Sequence, residues 1–500
     1  MKRIIKQLSA LSLILILILM SCGAKTPSAD PIDSETNTAP RPNILMILCD
    51  DLGYADVGFN GSTDIPTPHL DSLAATGTVC ASGYVAHPFC GPSRAGLLTG
   101  RYPHEFGSQF NLPVNSDDLG GEGITLNETF ISKVLQGAGY HTGIVGKWHL
   151  GGVDQYHPNV RGFDDFYGFL GGGHRYFPEQ YRPIYERQKA EGRKVIDDYL
   201  KPLEHNGQPV RETEYITDAL SREAVRFISD EEQRGEDPFF LYLAYNAPHS
   251  PLEAKEEDLQ LFAHIKDKKR RTYAAMVYAV DRGVGQIVDA LESTGQLDNT
   301  LIVFFSDNGG KLKLGANNTP LREGKGSTCE GGYRVPMMMH WPGVVPAGRR
   351  YEYPVSALDF YPTFASLAGA KIPTGKKVDG KNIWPSFING TSAREGEVIY
   401  AMRHRPGYSD IGVRRDELKA LKLSKDTWRL YNVMTDPGET TDISEQYPDE
   451  LREMVRSVEQ WSETHTEPLW YNPPELEQDW TDYDMGTFPG AFDILKSDKK

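Results

Sequence analysis

Four apolar runs, residues 42–48, 143–146, 239–244 and 301–305, constrain this 500-residue chain more than any other feature. None alternates with polar residues, so each reads as a strand buried on both faces, the pattern of a parallel sheet covered by helices. Each run gives way at once to polar residues: Asp50 and Asp51, Lys147 and His149, Asn246 and His249, Asp307 and Asn308. Adjacent carboxylates behind a buried strand are costly unless they are solvated, paired or bound to a metal. Open parallel sheets take ligands beyond the carboxyl ends of their strands. Four runs ending in this way predict one site assembled from distant parts of the chain.

Helical periodicity separates these runs. Thr125-Leu126-Asn127-Glu128 reads as a capping box opening a helix that ends near Gly137 and Gly139. Residues 215–227 place Ile216, Leu220 and Phe227 on one face, and residues 273–291 repeat Met276, Val277, Val280, Val284, Ile287 and Leu291 at helical spacing. The expected fold class is α/β, a large, mainly parallel sheet sandwiched by helices. A chain this long exceeds one ordinary core, which predicts a second, smaller unit. The Pro- and Gly-rich stretch 373–391 marks the expected boundary, giving a main domain over 42–372 and a C-terminal subdomain over 373–500. Within the latter, residues 398–403, 418–423 and 428–433 read as strands. Residues 171–211 show little periodicity and read either as a rim of the site, with His174, Arg175 and Tyr176, or as a solvated excursion.

The formal net charge is −16, which argues against nucleic-acid binding through a general basic field. An anionic substrate would need a local cationic pocket. Residues 1–21 carry Lys2, Arg3 and Lys6 ahead of a short apolar stretch and read as a signal peptide. Its end, Leu19-Met20-Ser21-Cys22-Gly23, resembles a bacterial lipobox with Cys22 as the lipidated residue; an ordinary signal peptide and an uncleaved anchor are the alternatives. Residues 22–41 read as a flexible tether. The lipobox resemblance implies a lipid-anchored protein of the bacterial cell envelope that meets the membrane only through that anchor. Five cysteines make no disulfide framework in a chain of this length, so Cys49, Cys80 and Cys329 read as buried thiols.

Cys90 begins the stretch Cys90-Gly91-Pro92-Ser93-Arg94, which continues to Leu98-Thr99-Gly100-Arg101. Pro92 suits the first turn of a helix. Cys90 would then lie at the helix N-terminus, where unpaired N–H groups favour negative charge, with Arg94 one turn on. Taken alone, such a cysteine reads as a core residue. As C-x-P-S-R followed by L-T-G-R, the stretch resembles the type I, formylglycine-dependent sulfatase signature of the alkaline phosphatase superfamily. Gly324-Lys325-Gly326-Ser327-Thr328 with Glu330-Gly331-Gly332 resembles that family's substrate-lysine loop, and it lacks the spacing of a phosphate-binding P-loop. Leu430-Tyr431 with Asp436-Pro437 resembles the family's C-terminal turn. The resemblance covers about residues 42–460, with weak matching in residues 152–235 and in the last forty residues.

The resemblance implies that the C-terminal sheet is antiparallel. It implies that a formylglycine-generating maturation enzyme oxidises Cys90 to an aldehyde whose hydrate is the nucleophile. One Ca2+ would be held by Asp50, Asp51, Asp307 and Asn308, with the modified Cys90 and the sulfate completing an oxygen shell; no cluster of Cys or His suggests zinc instead. Arg94 would hold the hydrate and the carboxylates, and His149 would take the hydroxyl proton. Lys147 and Lys325 would clamp sulfate oxygens, and His249 would serve the leaving group. Arg403 and His404 are further substrate-binding candidates from the C-terminal subdomain. His69, His104 and His157 read as structural or surface residues, and His87 is evenly poised. The expected function is hydrolysis of sulfate monoesters on sulfated polysaccharides or oligosaccharides, of algal ulvan or galactan type or of glycosaminoglycan type. One alternative is a phosphonate monoester or phosphodiester hydrolase of the same superfamily. Another is a non-catalytic surface glycan-binding protein.

Overall fold

The computed structural model describes residues 41–494 except 117–119, 231–234 and 236. The expected signal peptide and Cys22, and the expected tether apart from Arg41, lie outside the described residues. From Arg41 onward the chain forms one compact unit.

Ten strands form the main sheet: β1 (Asn43–Cys49), β2 (Thr78–Tyr84), β3 (His141–Lys147), β4 (Asp165–Phe169), β5 (Glu204–His205), β6 (Gln208–Pro209), β7 (Phe239–Ala244), β8 (Thr300–Ser306), β9 (Met337–His340) and β10 (Arg349–Ser356). Their order is β10-β2-β9-β8-β1-β7-β3-β4-β5-β6. The four apolar runs are therefore the adjacent strands β8, β1, β7 and β3, all mutually parallel. In register, Leu48 faces both Ala244 and Phe305, so the carboxyl ends finish level with one another. Alternate residues of β1 serve opposite cores: Ile44, Met46 and Leu48 enter one, and Leu45, Ile47 and Cys49 the other. Burial on both faces is why these runs carry no polar alternation. The helices Ile216–Ser229 and Lys268–Ser293 cover the second of these cores with the apolar stripes expected of them.

The structure departs from the expected elements in several places. Short β9 runs antiparallel between β2 and β8, and β5 and β6 add an antiparallel edge. Thr125 does not cap a helix; its hydroxyl accepts from the Asn127 amide at 3.4 Å, and the helix starts later, at Ile131–Gln136. The Glu128 carboxylate is taken instead by Arg101 and, at 2.8 Å, by Lys376. The aperiodic 171–211 region contains the helix Pro178–Ala190. Residues of the 373–391 stretch pack onto the main core through Ile383 and Phe387.

A second sheet, antiparallel as expected, follows in the order β11 (Val398–Arg405), β12 (Tyr408–Arg415), β13 (Leu418–Lys422) and β14 (Arg429–Asn432). Two buried contacts dock it. One is ionic: fully buried Lys419 meets Glu330 at 3.0 Å and Glu439 at 2.8 Å, while Arg414 reaches the Tyr84 hydroxyl at 3.0 Å. The other is aromatic. His104 stacks on His465 with ring centroids 4.8 Å apart and meets His404 at 5.4 Å, and Trp461 lies 4.2 Å from His465. His404, expected at the substrate, is thus buried in this cluster, with Trp480 against it at 5.0 Å and its Nδ1 2.9 Å from the Ser409 hydroxyl.

Burial, reinforced by neighbouring imidazoles, holds His104 far below the usual histidine range. Burial alone pulls His404 down to about 3, and burial with His404 and Lys377 nearby pulls His465 down to about 2. An unfolded histidine takes a proton near pH ~6.5. The folded cluster refuses it, so stability is complete above that pH and falls as the pH drops below it. The slope reaches ~1.4 kcal/mol per pH unit for each histidine. Urea midpoints measured between about pH 7.5 and 5 should decline with acid. His404→Phe, which keeps the ring packing, should flatten that decline by one histidine's share; an unchanged slope would remove the cluster as its cause.

Candidate active site

The site is built where the ends of β8, β1, β7 and β3 meet the first turn of the helix Cys90–Thr99, every residue of which is buried. Gly100 ends this helix at φ 67°. A Cβ there would lie 2.7 Å from that of Tyr361, so the glycine of Leu-Thr-Gly-Arg answers both a left-handed turn and a close approach. At the other end, the Gly91 amide donates to Asn111 Oδ1 at 2.9 Å.

Arg94, one turn beyond Cys90, is completely buried. Its Nε donates to Asp307 Oδ2 at 2.8 Å, and its Nη1 to the Lys147 carbonyl at 3.1 Å and the Tyr242 hydroxyl at 3.2 Å. Its Nη2 stands 4.0 Å from Asp50. One guanidinium therefore ties together residues of β3 and β7 with the residues that directly follow β8 and β1.

Around Cys90 the charges interleave. Lys147 Nζ donates to Asp50 Oδ2 at 2.5 Å. Lys325 Nζ lies 2.6 Å from Asp51 Oδ1 and 3.1 Å from Cys90 Sγ. Asn308 Nδ2 donates to Asp51 Oδ1 at 2.7 Å. His249 gives its Nδ1 to the Ser250 carbonyl at 2.7 Å and turns Nε2 toward Asp51 Oδ2, 3.8 Å away. Asp51 and His149 adopt left-handed φ angles of 65° and 62°, an uncommon conformation for residues other than glycine that concentrates at functional sites.

Burial pushes Asp307 up to about 6, with nearby Asp50 adding to it. Burial also pushes Asp51 upward, but Lys325 and His249 outweigh it and hold that carboxyl well below its usual range. Burial pulls His249 down to about 3, aided by Lys325, and keeps His149 far below its usual value, aided by Lys147. The Cys90 thiol is pushed up to about 12 by burial despite Lys147 and Lys325. An unmodified thiol here stays protonated at neutral pH and is a poor nucleophile.

The donors suit a hard divalent cation. Ligand atoms of Asp50, Asp51, Cys90 and His249 lie within 4.8 Å of one another. Asp50 Oδ1, Asp51 Oδ2 and Asn308 Oδ1 are buried without a hydrogen-bond partner, a costly condition that a bound ion relieves. Asp307 lies beside this group, its Oδ1 3.4 Å from the Asp51 amide. Oxygen predominates among the donors, as Ca2+ or Mg2+ requires.

Above these groups opens a cavity of about 130 Å3 floored by Cys90, His149, His249 and Lys325. Lys147 lies beneath the floor, fully buried. Gly171, Gly172, Asp198 and Tyr199 make one wall, Asn111 to Val114 another, and Asn472 contributes from the far end of the chain. A Cβ on Gly172 would lie 2.7 Å from His149 Nε2, so this glycine keeps space for the imidazole. The Gly171-Gly172-Gly173 run was a visible sign of such an approach; Tyr199, Asn111 and Asn472 carried none. Trp470 donates to the Phe110 and Asn111 carbonyls at 3.0 Å, and Asn472 to the Leu112 carbonyl at 2.9 Å, fixing the second wall. Arg403 does not line the cavity; it donates to the Gly326 carbonyl and lies over the Phe89 ring at 4.6 Å, bracing the loop of Lys325. His87 is buried, its Nδ1 accepting from the Phe89 amide at 3.2 Å, and His157 bonds Glu204 at 2.6 Å.

Comparison with known proteins agrees with this geometry. The family model Sulfatase matches residues 42–370, and the model N-sulphoglucosamine sulphohydrolase, C-terminal matches residues 325–464. Mouse arylsulfatase J is 31% identical over 492 residues, covering 89% of this chain and 79% of that protein. Pig N-acetylgalactosamine-6-sulfatase is 36% identical over 371 residues, covering 71% of this chain and 67% of that protein. The crystal structure of Ps i-CgsB in complex with k-i-k-neocarrahexaose superposes with a TM-score of 0.89 at 56% identity, covering 91% of this chain and all of that one. The signature around Cys90, the fold and the length of these matches agree: the chain belongs to the type I sulfatase family of the alkaline phosphatase superfamily and is a sulfuric ester hydrolase.

Proposed function

We propose that the protein removes sulfate from sulfated galactan chains of the carrageenan class, using a formylglycine made from Cys90 and one bound Ca2+. The observation that carries the chemistry is the placement of Cys90 at the floor of the cavity, with Lys325 3.1 Å from its sulfur and two carboxylates behind it. The substrate class rests on the likeness to Ps i-CgsB, crystallised with a neocarrahexaose. A maturation enzyme would act on Cys90. Cys22 would anchor the mature protein in the bacterial cell envelope, where polymeric glycans arrive.

Asp50, Asp51, Asp307 and Asn308 would hold the calcium. When bound, it withdraws charge from a sulfate oxygen and lowers the pKa of the hydroxyl at position 90. Lys147 and Lys325 neutralise sulfate oxygens as point charges inside a site that excludes most water. Arg94 keeps Asp307 and the strand ends in place, and so keeps the ligand set from spreading. His149, neutral by burial, can accept the hydroxyl proton at position 90. His249, neutral by burial and with Nδ1–H committed to Ser250, turns an unprotonated Nε2 toward the leaving-group side, so the proton for the departing alcohol would come from the Lys325 ammonium, with His249 holding the alcohol in place.

Lys325→Ala and His249→Ala should each lower kcat by roughly 10²–10³, the scale of one lost electrostatic donor, in single-turnover assays with matured protein. A chelator should abolish activity and lower the melting temperature, both restored by Ca2+; an unchanged melting temperature would count against calcium. Release of inorganic sulfate from carrageenan oligosaccharides by matured protein, absent in Cys90→Ala, tests the whole assignment. Faster cleavage of a matched phosphodiester would overturn it.

A further inference from the structure

Beyond Leu170 and Gly171 lies a second cavity, of about 550 Å3. It shares Leu170, Gly171 and Asp198 with the active-site pocket, so the two cavities adjoin across these residues. Its lining is drawn mainly from the helix Pro178–Ala190 and the segment that follows it.

Four cations line it: Lys189, Arg193, Lys194 and Lys201. Lys201 pairs with Asp198 at 3.2 Å, and Arg193 with exposed Glu191 at 2.9 Å. Among the described residues, Lys189 and Lys194 have no carboxylate within ion-pair distance; the Lys189 ammonium lies instead 5.7 Å from the Tyr185 ring centroid. Of the three acids in the lining, Asp198 is engaged by Lys201, Glu204 is held by His157 at 2.6 Å, and Glu186 pairs with no cation among the described residues. A chain of net charge −16 repels a polyanion at long range, so unpaired cations gathered in a concavity beside the catalytic pocket mark where a polyanion can be held. Tyr185 and Ile196 supply apolar surface between the charges, the combination of platform and polar anchors that suits a sugar ring.

We propose that this compartment is a subsite for a second sulfate group, carried on a neighbouring sugar of the same substrate chain. The enzyme then reads a multiply sulfated oligosaccharide and not an isolated sulfated sugar. Lys189 and Lys194 bind the second sulfate as point charges, Arg193 binds it through its planar fork, and Tyr185 supports the ring that bears it. This rests on the sulfatase reading above.

The test compares kcat/KM for a multiply sulfated carrageenan-type hexasaccharide with kcat/KM for a small aryl sulfate. Parent enzyme is set against the combined variant Lys189→Ala, Arg193→Ala and Lys194→Ala. The ratio of the two constants should fall about ten- to hundredfold through KM, the scale of several lost charge-assisted contacts, and its salt dependence should weaken. A ratio unchanged within about twofold overturns the subsite while leaving the sulfatase assignment intact. Titration calorimetry on Cys90→Ala protein separates binding from turnover: the combined variant should bind the hexasaccharide at least about tenfold more weakly, with no difference for its desulfated counterpart. Equal affinity for the sulfated hexasaccharide overturns the subsite. If matured parent enzyme hydrolyses neither substrate, the sulfatase reading fails, and calorimetry alone decides the subsite.

Discussion

Everything in the site depends on one buried guanidinium. Arg94 touches groups from four strand ends, donating to Asp307, the Lys147 carbonyl and Tyr242 and standing near Asp50. A buried charge of this kind is tolerable only when its partners are complete. The partners are in turn carboxylates that would repel one another if left alone. Asp50, Asp51 and Asp307 place three negative groups in a small volume, and Arg94, Lys147 and Lys325 answer them with three positive ones. The centre is thus balanced in charge yet leaves carboxylate and amide oxygens unpartnered. Because Arg94 sits on the same helix as Cys90, the ionic lattice also fixes where Cys90 points.

The second sheet extends this arrangement outward. Glu330, held by Lys419 and Arg334, begins the short helix that follows the Lys325 loop. Arg403 reaches Gly326 in the same loop. The C-terminal sheet therefore acts on the catalytic pocket indirectly, by holding the loop that delivers a cation to it. Buried ion pairs of this sort specify one arrangement more surely than they add stability, which suits a lysine whose distance from Cys90 matters.

Much of this was legible in the sequence, for identifiable reasons. β1, β3, β7 and β8 are apolar on both faces and end abruptly, so both the strands and their polar termini stood out. Lys325 stood out because glycines flank it. Tyr408–Arg415 was not recognised as a strand because buried Asp410 and Arg414 interrupt its pattern; their partners, Arg405 and Tyr84, appear only in the fold. Thr125 and Glu128 have the spacing of a cap, but tertiary ion pairs claim Glu128. His404 sits beside Arg403 in sequence and on the opposite face of its strand, which sends the two to different surroundings. Asn111, Tyr199 and Asn472 are single polar residues in loops, brought to the pocket by packing over long separations that no local pattern encodes.

The contacts of Trp470 and Asn472 with residues 110–112 span about 360 positions of sequence. During synthesis, the wall they support cannot be completed until almost the whole chain has left the ribosome. Until then the segment around Cys90 lacks its final enclosure, although in the finished fold the cysteine is 2% exposed. The wall beside Cys90 is therefore closed only when residues 470–472 are in place, so the enclosure of that cysteine depends on nearly the full length of the chain.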